Sequence, residues 1–159
     1  MVQNIVRQVH IALLKRSKTI SIAESCTGGF LSNLLTQLPQ SSKYFKLGVV
    51  TYSNQSKEKI LEINHSIILK KGAVSKEVAR KMAKSVMKLA KTDFSIAITG
   101  IAGPSGGTQD KPKGTVFIAV AKKNKIVCNE YLFKGTRTEI RKKAALKSLE
   151  LLLCVALSP

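Results

Sequence analysis

Residues 115–121 read TVFIAVA, with no polar side chain after the first. A strand that alternates apolar and polar residues can leave one face in water. This one cannot. A strand apolar at consecutive positions needs cover on both faces, as in a sheet held between two layers of helices. The chain supplies such cover at helical spacing. Val2, Ile5, Val6, Val9, Ala12 and Leu13 form one stripe, and Leu31, Leu34, Leu35 and Leu38 form another that stops at Pro39. Ser75 is an N-cap with Glu77 in the following turn, ahead of Val78, Met82, Val86 and Leu89 on a buried face. Thr136 and Glu139 form a T-x-x-E capping box that opens a long helix carrying Ile140, Ala144, Leu151 and Val155. Further strands are expected at 19–23, 47–52 and 94–99, and SNQSKEKIL reads as a turn into a short helix. Residues 122–125 form a hairpin loop returning through 126–133. Helices interleave with strands early and a hairpin closes the sheet. The expected fold is α/β: one layered domain over 1–159, a mixed β-sheet, helices on both faces, and a C-terminal β-hairpin plus long helix.

Several function classes fall away. The longest apolar run, 151–157, has seven residues, far short of the ~18 needed to cross a bilayer. The N-terminus is amphipathic and lacks a signal-peptide apolar block, so a cytoplasmic protein with no membrane partner is expected. Cys26, Cys128 and Cys154 are scattered, with no C-x-x-C pair and no nearby histidine, which argues against a disulfide framework and a zinc site. The formal net charge is +18. Such a field draws anions, phosphorylated metabolites and nucleic acid among them. Most of the lysines fall on the polar faces of expected helices, and no aromatic ladder for single strands is present. A solvated basic surface is favoured over a nucleic-acid footprint, which remains the alternative.

Two glycine-rich stretches follow expected strands, and in open α/β sheets ligands bind beyond the carboxyl ends of strands. The first is AESCTGG at 23–29, with Ser25 and Cys26 as adjacent candidate nucleophiles. It runs from strand to helix, so Cys26, Thr27, Gly28 and Gly29 offer backbone N–H groups that can hold an anion. A tight turn explains the glycines equally well. The second begins at Gly100 and runs through Gly103, Gly106 and Gly107, matching neither a P-loop nor G-x-G-x-x-G. A third stretch, TYSNQSKEK, supplies Tyr52, Lys57 and Lys59. His10 and His65 lie near no convincing motif, and a neutral lysine can replace histidine as the base for a serine. Protonation is the obstacle: at a pKa of about 10.4 only about one lysine in 2,500 is neutral at pH 7.

AESCTGG at 23–29, VTYSNQSK at 50–57, GAVSKEV at 72–78, TGIAGPSGG at 99–107 and KPKGTVF at 111–117 occur in that order. Together they resemble the CinA C-terminal domain family, whose stand-alone form is nicotinamide-nucleotide amidohydrolase. The resemblance spans nearly the whole chain. It implies hydrolysis of the carboxamide of nicotinamide mononucleotide (NMN) to nicotinate mononucleotide and ammonia, with no cofactor and no metal. It implies Ser25 as nucleophile, Tyr52 and Lys57 as its helpers, and Thr99 lining the site. The phosphate of NMN is expected against the glycines of the 100–107 loop or against Arg137. One departure is Gly135-Thr136-Arg137, where the family often has Gly-Asp-Arg. The larger N-terminal domain of full-length CinA is absent, so the deamidase-type module alone is expected. A homodimer is a further expectation carried by the resemblance. Two other readings stay open: a non-catalytic nucleotide or nucleic-acid binder, and an amidase acting on another small amide.

Overall fold

The structure is a computed structural model that describes residues 2–157, with side chains described for residues 3–155. The side chains of Val2 and Leu157 therefore lie outside the described residues. The elements in order are α1 (Val2–Lys15), β1 (Ile20–Glu24), α2 (Phe30–Leu35), β2 (Phe45–Val50), α3 (Asn54–Leu61), α4 (His65–Lys71), α5 (Lys76–Ala90), β3 (Phe94–Gly100), β4 (Thr115–Lys122), β5 (Lys125–Leu132) and α6 (Arg137–Leu157). One five-stranded sheet runs β2-β1-β3-β4-β5. β1 is parallel to both β2 and β3, while β4 is antiparallel to β3 and β5. The sheet is mixed, as the sequence implies.

The apolar strand sits where it must. Val116, Ile118 and Val120 of β4 pack into a core with Val6, Val9 and Leu13 of α1, Leu31 and Leu34 of α2, and Ile140 of α6. Phe117, Ala119 and Ala121 face a second core with Val78, Met82 and Val86 of α5. Fully burying each large aliphatic side chain contributes ~1.5–3 kcal/mol, so both layers are anchored by this one strand. On the α5 side the sheet presents small residues, Ala23, Ala97 and Ala119. They let α5 come close enough for Ser21 Oγ to donate to Val86 O (3.2 Å) and Ser95 Oγ to Ala83 O (2.6 Å). Two polar groups inside the sheet are thereby satisfied.

Some elements differ from the sequence pattern. β2 starts and ends two residues earlier than 47–52. α2 stops at Leu35 rather than running to Leu38, because the amide and hydroxyl of Thr36 both bond back to Ser32 O and Asn33 O. Leu38 still packs against the first core. The short helix α4 has no counterpart among the expected elements. Leu89, expected on the buried face of α5, is 56% exposed and lines an open groove of about 440 Å³ with Ile60 and Leu61.

The topology sets up a crevice. The chain leaves β1 toward β2 and leaves β3 toward β4. The carboxyl ends of β1 and β3 lie side by side, with Glu24 opposite Ile98. Ligands in α/β sheets sit at such a switch point.

Candidate active site

The turn at residues 25–29 occupies that crevice. Ser25 follows β1 directly, and its amide donates to Ile98 O (3.0 Å). Its neighbour across the sheet is β2, whose continuation is pinned by Thr51 N donating to Glu24 O (2.8 Å). Ser53 then starts α3 with a reciprocal capping box to Ser56. One turn later Lys57 points inward and is 1% exposed, whereas Lys59 is exposed. Lys57 Nζ donates to Ser25 Oγ at 3.0 Å and to Thr51 O at 2.8 Å. Of the two lysines in the motif, only Lys57 reaches the serine.

Among the described residues no carboxylate pairs with Lys57. Burial pushes its pKa from 10.5 down to about 8, against a smaller upward pull from Cys26. About one molecule in ten then carries a neutral amine at pH 7, enough to act as a base. Cys26 is also buried, and burial pushes its thiol up to about 12. At neutral pH Cys26 is a thiol, and the reactive thiolate is scarce. The two candidate nucleophiles, both buried, therefore differ in their partners: Ser25 has the Lys57 amine at hydrogen-bond distance, whereas burial keeps Cys26 as a thiol.

The helix N-terminus expected to hold a ligand anion already holds one from the chain itself. The Glu24 carboxylate, fully buried, accepts from Gly29 N (3.1 Å), Leu31 N (3.0 Å), Ser32 N (2.8 Å) and Ser32 Oγ (2.7 Å). Gly28 N is likewise engaged, by Ser25 O. The amides of Gly28 and Gly29 are thus not available to a ligand. Those of Cys26 and Thr27 are, among the described residues, engaged by no other residue and stay open to a ligand. Gly28 has φ +59° and Gly29 φ +92°, so both are needed for the turn itself.

Arg141 of α6, which no motif signalled, holds the far side of the turn. Its Nη2 and Nε donate to Thr27 O at 2.7 and 3.3 Å. A Cβ on Gly28 would lie 3.2 Å from Nη2. The hydroxyls of Thr27 and Thr51 are buried and, among the described residues, have no partner.

Thr99 is buried at the end of β3, next in sequence to Ile98, and its hydroxyl donates to Ala73 O (2.9 Å). Tyr52 is 58% exposed, and its hydroxyl accepts from Arg137 Nη2 at 2.6 Å rather than bonding to Lys57 or Ser25. The 100–114 loop folds back on itself through Gly114 N to Ile101 O and Thr108 N to Lys111 O. Gly100 and Gly107 serve close packing, against Val116 of β4 and against Lys113 within the loop respectively. Gly106 lies against Ile101. Gly103 is the loop glycine that faces a cation, since a Cβ there would lie 2.9 Å from Arg137 Nη1. Tyr52, Arg137 and Gly103 therefore form one group, joined to the Ser25–Lys57 pair through Thr51, which precedes Tyr52 and accepts from Lys57. Among the described residues no helix is long and apolar enough to cross a membrane.

A family model described as the CinA C-terminal domain matches residues 2–155. A CinA-like protein of Endomicrobium trichonymphae is 49% identical over 140 residues, covering 88% of this chain and 33% of that one. A CinA-like protein of Desulfotalea psychrophila is 45% identical over 141 residues, covering 89% of this chain and 34% of the other. The chain thus spans about a third of the length of the curated relatives it matches. Among solved structures, a CinA superfamily protein from Klebsiella pneumoniae superposes with TM-score 0.95 at 29% identity, covering 99% of this chain and 98% of that one. One from Escherichia coli superposes with TM-score 0.93 at 33% identity, covering 98% and 90%.

Proposed function

We propose that this chain, which belongs to the CinA C-terminal domain family, hydrolyses the carboxamide of nicotinamide mononucleotide to nicotinate mononucleotide and ammonia. The observation that carries the reading is the buried Lys57 Nζ at 3.0 Å from Ser25 Oγ, with no carboxylate partner among the described residues. Neutral Lys57 takes the Ser25 proton as Oγ attacks the carboxamide carbon. The same 3.0 Å contact then runs with Ser25 as donor and Lys57 as acceptor. The second Lys57 bond, to Thr51 O, keeps the amine aimed while its lone pair is used.

The developing oxyanion faces the amides of Cys26 and Thr27, a setting in which one donor is worth about 3–4 kcal/mol. Collapse of the tetrahedral intermediate breaks the C–N bond. The Lys57 ammonium protonates the leaving nitrogen, which departs as ammonia. The nicotinoyl ester on Ser25 is then attacked by water, with Lys57 again accepting a proton, and Ser25 is released as the alcohol. Arg137, steered by Tyr52 and lying against Gly103, supplies a cation for the substrate phosphate. Tyr52 thereby acts through the arginine. A phosphate is well matched by a guanidinium because the planar fork can make two parallel hydrogen bonds.

The test is purified protein incubated with NMN, with ammonia and nicotinate mononucleotide assayed for wild type, Ser25→Ala and Cys26→Ala. Wild type and Cys26→Ala should turn over, and Ser25→Ala should not. Folded wild type that yields neither product sinks the substrate assignment. Activity lost in Cys26→Ala and kept in Ser25→Ala would move the nucleophile to the thiol.

A further inference from the structure

The residue before the nucleophile is a carboxylate that the reaction itself does not use. Glu24 ends β1, an inner strand of the sheet, is fully buried, and among the described residues makes no ion pair. Its two oxygens receive four hydrogen bonds, all from residues 29–32, on the far side of the Ser25 turn. Its own carbonyl accepts from Thr51 N, beside the Thr51 carbonyl that holds Lys57. One residue therefore ties together the strand, the turn, the start of α2 and the segment that aims the base.

We infer that Glu24 is a positioning residue for catalysis: its carboxylate clamps both ends of the Ser25 turn, holding Oγ at Lys57 and the Cys26 and Thr27 amides toward the oxyanion. This rests on the reading of Ser25 as the nucleophile of an amide hydrolase. Four features make the clamp specific. A carboxylate has the acceptor capacity for four donors, which an amide side chain does not. Its negative charge lies at the positive end of α2. It consumes the Gly29, Leu31 and Ser32 amides, so the Cys26 and Thr27 amides are the turn donors left for a ligand. The turn's other restraints are two backbone bonds, Gly28 N to Ser25 O and Phe30 N to Thr27 O, and Arg141 on Thr27 O, while its glycines at φ +59° and +92° have the widest conformational freedom once unclamped. A shift of the turn of about 1 Å is enough to cost about 10²-fold in rate.

The experiment compares wild type, Glu24→Gln, Glu24→Ala and Ser32→Ala. Each is assayed for NMN turnover, for the rate of Ser25 labelling by a fluorophosphonate, and for melting temperature. Glu24→Gln keeps shape and some acceptors. Its kcat should fall about 10²-fold, with KM within about threefold because ground-state binding is untouched. Labelling should slow in parallel. Glu24→Ala should fall further and recover part of its kcat with millimolar acetate, which refills the vacated carboxylate position. Ser32→Ala removes only the 2.7 Å bond and should give a smaller loss.

A purely structural role predicts lower melting temperatures with kcat and labelling unchanged well below them. That result in Glu24→Gln, or in Ser32→Ala should Glu24→Gln not fold, overturns the inference. Wild type that labels at Ser25 but leaves NMN intact removes the substrate assignment alone, and the labelling rates still decide Glu24. Wild type that neither labels nor turns over removes both.

Discussion

Lys57 is the residue on which the proposed chemistry turns, and its titration can be read in two ways. If the neutral amine is the base, kcat/KM rises tenfold per pH unit and levels off near the pKa of about 8. A pH–rate profile that is flat through neutrality would remove Lys57 from the role. The second reading is stability. Lys57 titrates near 8 when folded and near 10.5 when unfolded, so between those values the unfolded chain binds the extra proton. Stability from this group therefore rises with pH across that window, and below it the burial penalty is felt in full. The penalty amounts to about 3 kcal/mol. Lys57→Met abolishes turnover and lifts that penalty, but leaves Thr51 O without its donor, a cost of about 1–3 kcal/mol. Near neutral pH the two changes nearly offset. From pH 8 upward wild type should gain on Lys57→Met in chemical denaturation, and parallel curves would show that Lys57 is not depressed. The motif made Ser25, Lys57 and Cys26 legible in the sequence. It did not reveal the clamp, because Glu24 acts on residues five, seven and eight positions ahead, a relation with no local period.

The N-terminus of α6 meets the β2–α3 connection where Arg137 donates to Tyr52 at 2.6 Å. That contact separates two roles for the tyrosine. If Tyr52 steers Arg137 toward the substrate phosphate, Tyr52→Phe raises KM about tenfold, the worth of a hydrogen bond to a charged group, and spares kcat. If it relays protons to Lys57, kcat falls instead. Steady-state kinetics on the one variant decides between them. The capping box behind Arg137 is built as its sequence implies: Thr136 N and Oγ1 donate to Glu139 Oε2, and Glu139 N returns to Thr136 Oγ1. Thr136→Ala should cost about 1 kcal/mol in thermal denaturation, and an unchanged melting temperature would show that the cap is idle. Thr136 thus does the N-cap work expected of Asp in the family pattern. The central strands were readable because an unbroken apolar run admits few alternatives. α4 was not, because seven residues give too little periodicity, and its signals were only Asn64 accepting from Ser66 N and Gly72 at its end. β2 shifted because it is an edge strand with one face exposed, and its inward stripe of Phe45, Leu47 and Val49 is only partly buried, which marks its limits weakly. Leu89 lay on the right helical stripe but borders an open surface groove instead of the core.

At the scale of the whole molecule the dominant fact is a charge of +18 with few local remedies. Lys18–Asp93, Lys71–Glu77 and Lys147–Glu150 are paired, but the acids are far outnumbered. α5 shows the imbalance most clearly. Lys76, Arg80, Lys84 and Lys88 recur every fourth residue on its exposed face, with Lys81 beside them and Glu77 as its single acid. Like charges four apart on a helix repel by about 0.2–0.5 kcal/mol per pair. Repulsion, and not ion pairing, is therefore the main long-range electrostatic effect in this fold. Salt screens it within a Debye length of about 8–10 Å at physiological strength. Raising sodium chloride from low to physiological concentration should raise the melting temperature, the opposite of a protein held together by surface ion pairs. A fall would mean that unseen attractive pairs dominate. The same field bears on the alternative of a nucleic-acid binder. The α5 face has cations but no aromatic side chain for stacking, so any such ligand would be held by its phosphates alone. Binding of a short DNA duplex would then fall about 10³-fold or more between 50 and 200 mM salt if six phosphates are contacted. Reversing Lys81, Lys84 and Lys88 to glutamate should abolish it, whereas reversing Lys142 and Lys143 on α6 should not. Equal losses from the two helices would identify a diffuse response to net charge, and NMN turnover unchanged in both sets would place the basic surface outside the reaction.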